Sequence, residues 1–456
     1  MPQQIQELGQ ENKIIMSKSP TYRHMFSKLK KSKTSYVAFC MLLFIFFMAL
    51  FADLIATDQP WYVKYKGKTY YPAFSQLINP TRLDTITDPF TNAKEILQFD
   101  LLEWRSMETD AIVFAPIPYS PGKPDKLNRD YVGPRDEQKM KLPDGTIVKS
   151  TFRFRHHLGT DQVGNDLLST LIHGSRLALQ VGLISIFIAS VIGISLGALA
   201  GYFGDKKLKI SRGAYYLLIA GIFPAFFYAF IFRSAALSWS FELGYLNTLY
   251  ELSLSLIIFI SILTLFFQLG RLLKVSSLFS AKTNVPVDSI VSRLIEIMNS
   301  LPRILIIITI AAIFKDKSLG LVITIIGLTS WTGIARFTRA EMMRQSQLEY
   351  IEAARAMGIP GYKIILKHAL PNAFAPVMIE IAFSIASAIL LESGLSFLGI
   401  GVPDDVSTWG AVLSSGRQQF DAWWLVIFPG LAIFITVTSF NLLGDWLRDI
   451  MNPKNK

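Results

Sequence analysis

The 456-residue chain has a single cysteine, Cys40, and only five histidines. One thiol excludes a disulfide within the chain, and Cys40, inside the first apolar run, is expected to pack there as a small residue. Charge is also scarce: 17% of residues are charged against 51% hydrophobic. That balance excludes a soluble multidomain protein. The net charge of +11 lacks the distribution of a nucleic-acid surface, because the basic residues gather at the ends of apolar runs, as cytoplasmic membrane flanks do. No Ser-His-Asp, zinc-ligand or paired-carboxylate constellation is present, so no catalytic residue, metal or cofactor is assigned to the chain. A phosphate-binding loop is missing too. Gly67-Lys68-Thr69 imitates the end of one, yet Tyr62 stands where glycine is required.

What is present is a series of apolar runs near twenty residues, each long enough to cross a bilayer. They predict an all-α polytopic membrane protein with eight spans, at about 36–56, 177–200, 214–232, 252–273, 294–314, 319–335, 374–397 and 425–443. Residues 1–34 are polar and basic and are expected to stay in the cytoplasm, and the first span, 35–57, is too long for a signal-peptide core and should remain as an anchor. Residues 58–157 form an external insertion, partly β because pieces such as Trp61-Tyr62-Val63-Lys64-Tyr65 alternate. The core occupies 158–456, with a cytoplasmic loop at 336–372.

Within that core, 206–286 reads as an added transmembrane hairpin. Lys206, Lys207, Lys209 and Arg212 precede it, Arg271, Lys274 and Lys282 follow it, and the turn at 234–250 holds no Lys or Arg. Both ends of the hairpin and both chain termini are therefore placed inside. Arg233 is expected to reach the outer interface by its long stem. Gly193, Gly197 and Gly201 recur every four residues and suit close helix contact. Pro302 should kink its span, and Trp409, Trp423 and Trp424 suit a membrane interface.

Charged groups inside spans usually face a cavity or a partner. Glu380, Ser384 and Ser387 share one helical face, and Glu296, Asn299 and Ser300 form a comparable stripe. Both stripes are candidates for a translocation pathway, and hydrogen bonding between helices explains them equally well. Glu392 points elsewhere, near the outer surface, where a structural role is expected. His157 and Asp161 have the spacing of a helical metal site, but Gly159 and Gly164 argue for turns.

Between two apolar runs lie Glu349-Tyr350-Ile351-Glu352-Ala353-Ala354-Arg355-Ala356-Met357-Gly358 and, further on, His368-Ala369-Leu370-Pro371-Asn372. This predicts a short helix, a stop at Gly358, Pro360 and Gly361, and a second short helix closed by Pro371. The small Ala353 and Ala354 would allow close approach to another protein. The spacing resembles the EAA signature of the integral membrane subunits of ATP-binding-cassette importers, and His368, where Ile is common, resembles the branch for oligopeptides, dipeptides and nickel. The Gly159-Thr160-Asp161 segment and the closing Phe440-Asn441-Leu442-Leu443-Gly444-Asp445 run are similar to that family as well. Asn165 stands where the family usually has Arg. Leu54-Ile55-Ala56-Thr57-Asp58-Gln59-Pro60 is similar to the branch taking up microcin C and related peptides.

The resemblance implies an ABC importer permease bundle in the cell inner membrane, carrying the added hairpin and the external insertion. Its implied partners are a second homologous permease subunit, two cytoplasmic ABC ATPase subunits that bind ATP and Mg, and an external substrate-binding protein. It implies that Glu352, Ala353, Ala354, Gly358, His368, Leu370 and Pro371 couple the chain to the ATPase. The alternatives are an ion-coupled secondary transporter, which suits carboxylates inside spans but has no use for the coupling loop, and a pure membrane scaffold.

Overall fold

The computed structural model describes residues 32–78, 83–87, 94–99, 102–272, 277–313, 317–403 and 406–451. Most of the expected cytoplasmic segment 1–34 lies outside them, as do Lys274 and Lys315. The first helix, α1 (Lys33–Leu50), starts at Ser32, whose hydroxyl accepts from the Ser35 amide. Cys40 is exposed on it, so the thiol is not packed within the chain as expected.

After α1 the chain enters the insertion. Strands β1 (Pro60–Tyr65) and β2 (Lys68–Tyr70) pair antiparallel, followed by the two-stranded β3 (Leu83–Thr87) and β4 (Lys94–Gln98) ladder. Strand β5 (Ala111–Phe114) completes the sheet order β2-β1-β5, and β6 (Lys139–Lys141) pairs with β7 (Ile147–Lys149). Lys66 and Gly67 both take positive φ, 49° and 75°, making the two-residue hairpin turn that a β-ladder favours. The Gly-Lys-Thr imitation of a phosphate loop is thus a strand turn. Val63, Phe99, Trp104 and Phe114 form the insertion's own apolar core.

The insertion is fastened to the membrane bundle by a buried histidine. His156 sets Nδ1 2.9 Å from Asp166 and Nε2 3.3 Å from Asp125, while Tyr119 stacks on its ring at 4.0 Å. Asp166 in turn caps the next helix, accepting from the Ser169 amide at 2.7 Å. Burial opposes the imidazolium, but the hydrogen bonds and charges of Asp125 and Asp166 outweigh it and raise its pKa. Burial likewise opposes the Asp125 carboxylate, and its bonds to His156, Asn128 and the Leu127 amide hold it below the usual carboxylate range. A neutral imidazole donates from one nitrogen only, so one of the two carboxylates loses its donor when the proton leaves.

The histidine's contribution is complete below its unfolded pKa and is lost as pH rises through the raised folded value; the Asp125 contribution is lost as pH falls through the depressed one. Melting of the purified protein should therefore be highest between those limits. His156→Gln should remove the alkaline decline and lower stability by about 2 kcal/mol, the scale of hydrogen bonds to charged groups. An unchanged melting profile in that variant would show that the clasp contributes nothing.

From Asp166 runs α2 (Leu167–Phe203), followed by strand β8 (Lys209–Ser211), α3 (Arg212–Phe226), α4 (Ser234–Leu243) and α5 (Tyr245–Leu272). Strand β9 (Lys282–Asn284) pairs with β8 and closes the base of the hairpin. The stretch expected as an open turn, 234–250, is helical except at Gly244, whose φ of +106° reverses the chain. Arg233 has a partner within the chain. It pairs with Glu251 and donates to Ser255 at 3.2 Å across the hairpin, so both charges are neutralised by a partner on the facing helix.

The remaining elements are α6 (Val287–Ser300), α7 (Arg303–Ile313), α8 (Leu319–Gln345), α9 (Glu349–Ala356), α10 (Leu370–Phe397), α11 (Trp409–Gly416) and α12 (Trp424–Met451). By length and composition seven helices among the described residues can cross a membrane, and eight if α6 and α7, bent by 77° at Leu301–Pro302, count as one span. The span expected at 294–314 is therefore a broken one, because Pro302 interrupts the hydrogen-bond ladder between an amphipathic helix and a short apolar one. Helix α2 has 37 residues, about 55 Å at 1.5 Å each, against a hydrocarbon thickness near 30 Å. It outruns the expected 177–200 at its start because Asp166 caps it well before the apolar run.

Helix α8 is the centre of the bundle, buried along most of its length against α2 and α10 through Ile323, Ile326, Ile334, Val181 and Val377. The three glycines of α2 meet it directly. A Cβ on Gly193, Gly197 or Gly201 would lie 2.8, 2.5 or 2.4 Å from the carbonyl oxygens of Trp331, Ala335 and Arg339. Two of the three tryptophans expected at the interface serve inside instead. Trp409 and Trp424 are buried and donate to the backbone oxygens of Leu171 and Thr160, at 2.9 and 3.0 Å, and only Trp423 is exposed. Their rings fill the space that Gly174 and Gly159 leave open.

Candidate functional site

Two sites stand out, a surface loop and a cavity. Helix α9 follows α8 after a brief turn and ends where Gly358 takes a φ of +73°. A Cβ there would meet nothing within 4 Å, so the glycine is required by backbone conformation alone. Ile351 and Ala354 are buried against Tyr202, Met342, Ile364 and Ile365. Glu352, Ala353, Ala356 and Met357 are exposed. Adjacent helical residues point about 100° apart, so the two alanines divide: Ala354 seats the helix on its own chain and only Ala353 belongs to the free face.

Beyond Gly358 the chain re-enters helix at Gly361–Ile364, loosens into a π-turn at Ile365–Ala369 and continues into α10. Pro371 therefore begins a long helix rather than closing a short one. The first turn does not need its missing amide, and the π-turn bond from the Leu370 amide to the Ile365 oxygen carries the ladder past it. His368 and Leu370 are half-buried and Pro371 is exposed.

Sequence reading missed the residues that hold this loop. Tyr350 donates to Gln345 at 2.6 Å and accepts from Asn372 at 3.2 Å, and Asn372 also donates to the His368 oxygen at 2.8 Å. These bonds staple α9 between the end of α8 and the start of α10. Below them, Arg355 lies over the Tyr202 ring at 5.1 Å and Lys207 donates to the Tyr202 oxygen at 3.0 Å. Asp205 accepts from the Ser289 amide and hydroxyl at 2.9 and 2.6 Å, and Arg339 clasps Asp288. The hydrogen bonds from Ser289 hold the Asp205 carboxyl below the usual range. The loop is thus packed on or bonded to α2, α8 and α10, and α6 is tied in turn to the end of α2 and to α8.

The second site is a cavity of about 430 Å³ where α6, α7, α8 and α10 meet. Asn299 from the first stripe and Glu380, Ser384 and Ser387 from the second line it together. Thr332 donates to Asn299 at 3.2 Å, and Gly333 leaves room for Glu380, whose Oε1 lies 2.6 Å from where a Cβ would be. Glu296 and Ser300 are not brought there. Glu296 pairs with Arg293 on the exposed side at 2.6 Å, and Ser300 donates to the Ile297 oxygen at 2.7 Å.

The residue that went unread is Arg303, which also lines the cavity and donates to Thr329 at 3.3 Å and to Ser330. Its signal was its place directly after Pro302, inside an apolar run. Glu392 is fully buried, with Ser396 donating to it at 2.7 Å, and lies away from this cavity. The metal reading of His157 and Asp161 gains nothing: among the described residues no cluster could hold an ion. Asp161 instead accepts the Val163, Gly164 and Asn165 amides, and Asn165 returns its side-chain amide at 2.8 Å.

Comparison with known proteins agrees with this architecture. Residues 275–456 match the family described as Binding-protein-dependent transport system inner membrane component, and residues 19–77 match the N-terminal TM domain of oligopeptide transport permease C. The di/tripeptide transport system permease protein DppC of Pseudomonas aeruginosa is 31% identical over 345 residues, 75% of this chain and 84% of that one. The oligopeptide transport system permease protein OppC of Haemophilus influenzae is 28% identical over 302 residues, covering 66% and 71%. OppC of Salmonella typhimurium is 37% identical over 171 residues, 37% of this chain and 56% of its own. A bundle of long apolar helices around a central one, a stapled surface loop and this degree of similarity place the chain in the family of inner membrane components of binding-protein-dependent transport systems, the permease subunits of ABC importers.

Proposed function

We propose that the chain is one of two homologous permease subunits in an ATP-driven importer of peptides, with both termini in the cytoplasm and residues 349–371 transmitting movement from two cytoplasmic ATPases. Its relatives are named for di/tripeptide and oligopeptide transport. The observation that carries the coupling is the division of α9: one face is fixed to the bundle through Ile351 and Ala354, and the other presents Glu352, Ala353 and Met357 outward. ATP and Mg are held by the partner ATPases, and an external binding protein delivers the substrate. ATP closes the ATPase pair, the rigid loop moves with it, and the bundle passes between inward- and outward-facing states. The cavity of Asn299, Glu380, Ser384 and Ser387 lies on the translocation pathway, and the external insertion contributes to delivery.

The test is reconstitution of the chain with its copurifying second permease subunit and ATPases in liposomes, supplied with the binding protein. Labelled dipeptide should enter only with ATP. Uptake driven by a proton gradient without the ATPases would overturn the proposal in favour of an ion-coupled carrier.

A further inference from the structure

The cavity holds two opposite charges that do not pair. Arg303 rests on the neutral hydroxyls of Thr329 and Ser330, using two of its five donors. Glu380 makes no hydrogen bond or ion pair among the described residues; Arg336, the one cation whose charge acts on it among them, is exposed and forms no ion pair with it. The anchors of the two charges, Thr329 and Ser330 for one and Gly333 for the other, are a single helical turn apart on α8, about 5 Å along its axis. Charged groups are costly within a membrane and are retained there for ligands, ions or partners. A helix-to-helix strut would have consumed the Glu380 carboxylate, and here it is left free.

We propose that this cavity is a subsite for the charged ends of a short peptide, Arg303 taking the terminal carboxylate and Glu380 the terminal ammonium. The proposal rests on the peptide-importer reading above. Two residues of extended chain span about 7 Å, which one helical turn plus hydrogen-bond reach accommodates. The volume, about 430 Å³, falls in the roughly 300–1,000 Å³ range of small-molecule sites. Thr332, Ser384, Ser387 and Asn299 offer neutral donors and acceptors to the peptide bond between the two ends. A guanidinium suits a carboxylate by its planar pair of donors, and a carboxylate suits an ammonium by charge.

The external binding protein also selects peptides, so the test compares ratios in which its contribution cancels. ATP-driven uptake by the reconstituted importer is measured for a dipeptide, its C-terminal amide and its N-acetyl form, with the same binding protein throughout. Arg303→Gln should lower the preference for free acid over amide about tenfold, and leave the preference for free amine over N-acetyl unchanged. Glu380→Gln should do the reverse.

Gly333→Ala gives a variant that keeps both charges. Its methyl would displace Glu380, so it should weaken the amine preference while favouring the helix. This measurement stands in should Glu380→Gln fail to assemble, as Arg303→Lys, which keeps the charge without the paired donors, does for Arg303→Gln. Unchanged ratios, or an equal loss for all three peptides in assembled complexes, would overturn the subsite and leave the importer reading intact. Absence of peptide uptake by the unmodified importer would overturn both.

Discussion

Ala353→Trp should leave the membrane bundle folded and reduce ATP-driven uptake to background. Ala353 is exposed on α9, with no part in the packing of Ile351 and Ala354 beneath it. An indole there would stand out from the face proposed to enter the ATPase. Overpacking of a closely fitted contact costs about 1–3 kcal/mol, or roughly 5- to 150-fold in docking affinity. The measurements are ATPase copurification, binding-protein-stimulated hydrolysis and uptake, with melting of the permease as the control for folding. Full coupled transport by the variant would show that α9 is not the transmitting element. Ala354→Trp is unsuitable for this purpose, because the residue is 3% exposed and its replacement would dismantle the loop itself. Gly358 supplies an independent check: valine at a φ of +73° costs about 1–2 kcal/mol of backbone strain, and asparagine, which tolerates that conformation, should retain most coupling.

Gly197→Leu should act through the bundle, and more severely. The added Cβ would lie 2.5 Å from the Ala335 oxygen and 2.7 Å from the Thr338 Cβ, both fixed on the central helix. Neither can yield by a rotamer change, so α2 and α8 must separate along the glycine stripe. That opens the contact around which α10 is also packed. The expected result is loss of most folded permease from detergent extracts, seen as collapse of the monodisperse size-exclusion peak. Val191→Leu, on the 53% exposed face of the same helix, should change nothing. A normal yield of folded Gly197→Leu protein would show that the two helices do not need this close approach.

The glycine stripe was legible because a four-residue repeat of the smallest side chain has few uses in an apolar helix other than close packing. The Glu380 stripe was legible for a similar reason: three polar residues on one helical face need a polar neighbour. Its other walls were not. Arg303 reaches the cavity only because the chain turns by 77° at Pro302, and neither the angle nor its direction is encoded in the residues near the proline. Glu296 and Ser300 followed the period of Asn299 yet ended outside the cavity, because helical period groups residues within one helix and says nothing of where its neighbour ends. The same limit separates Ala353 from Ala354. Their burial depends on Tyr202 and Met342, distant in sequence and brought together by the bundle. Trp409 and Trp424 were misplaced because an indole suits a lipid headgroup and a buried backbone oxygen alike.

The ladder of β8 and β9 fixes where the segment from α3 to α5 joins the bundle. The Val285 amide donates to the Leu208 oxygen at 2.9 Å, so the chain leaves the bundle and returns to it at one point. Everything between those residues begins and ends at the same doorway. The helices on either side, α2 and α6, are held together independently by Asp205 and Ser289. A segment joined at such a point can change in length without moving the ends that α2 and α6 present to it.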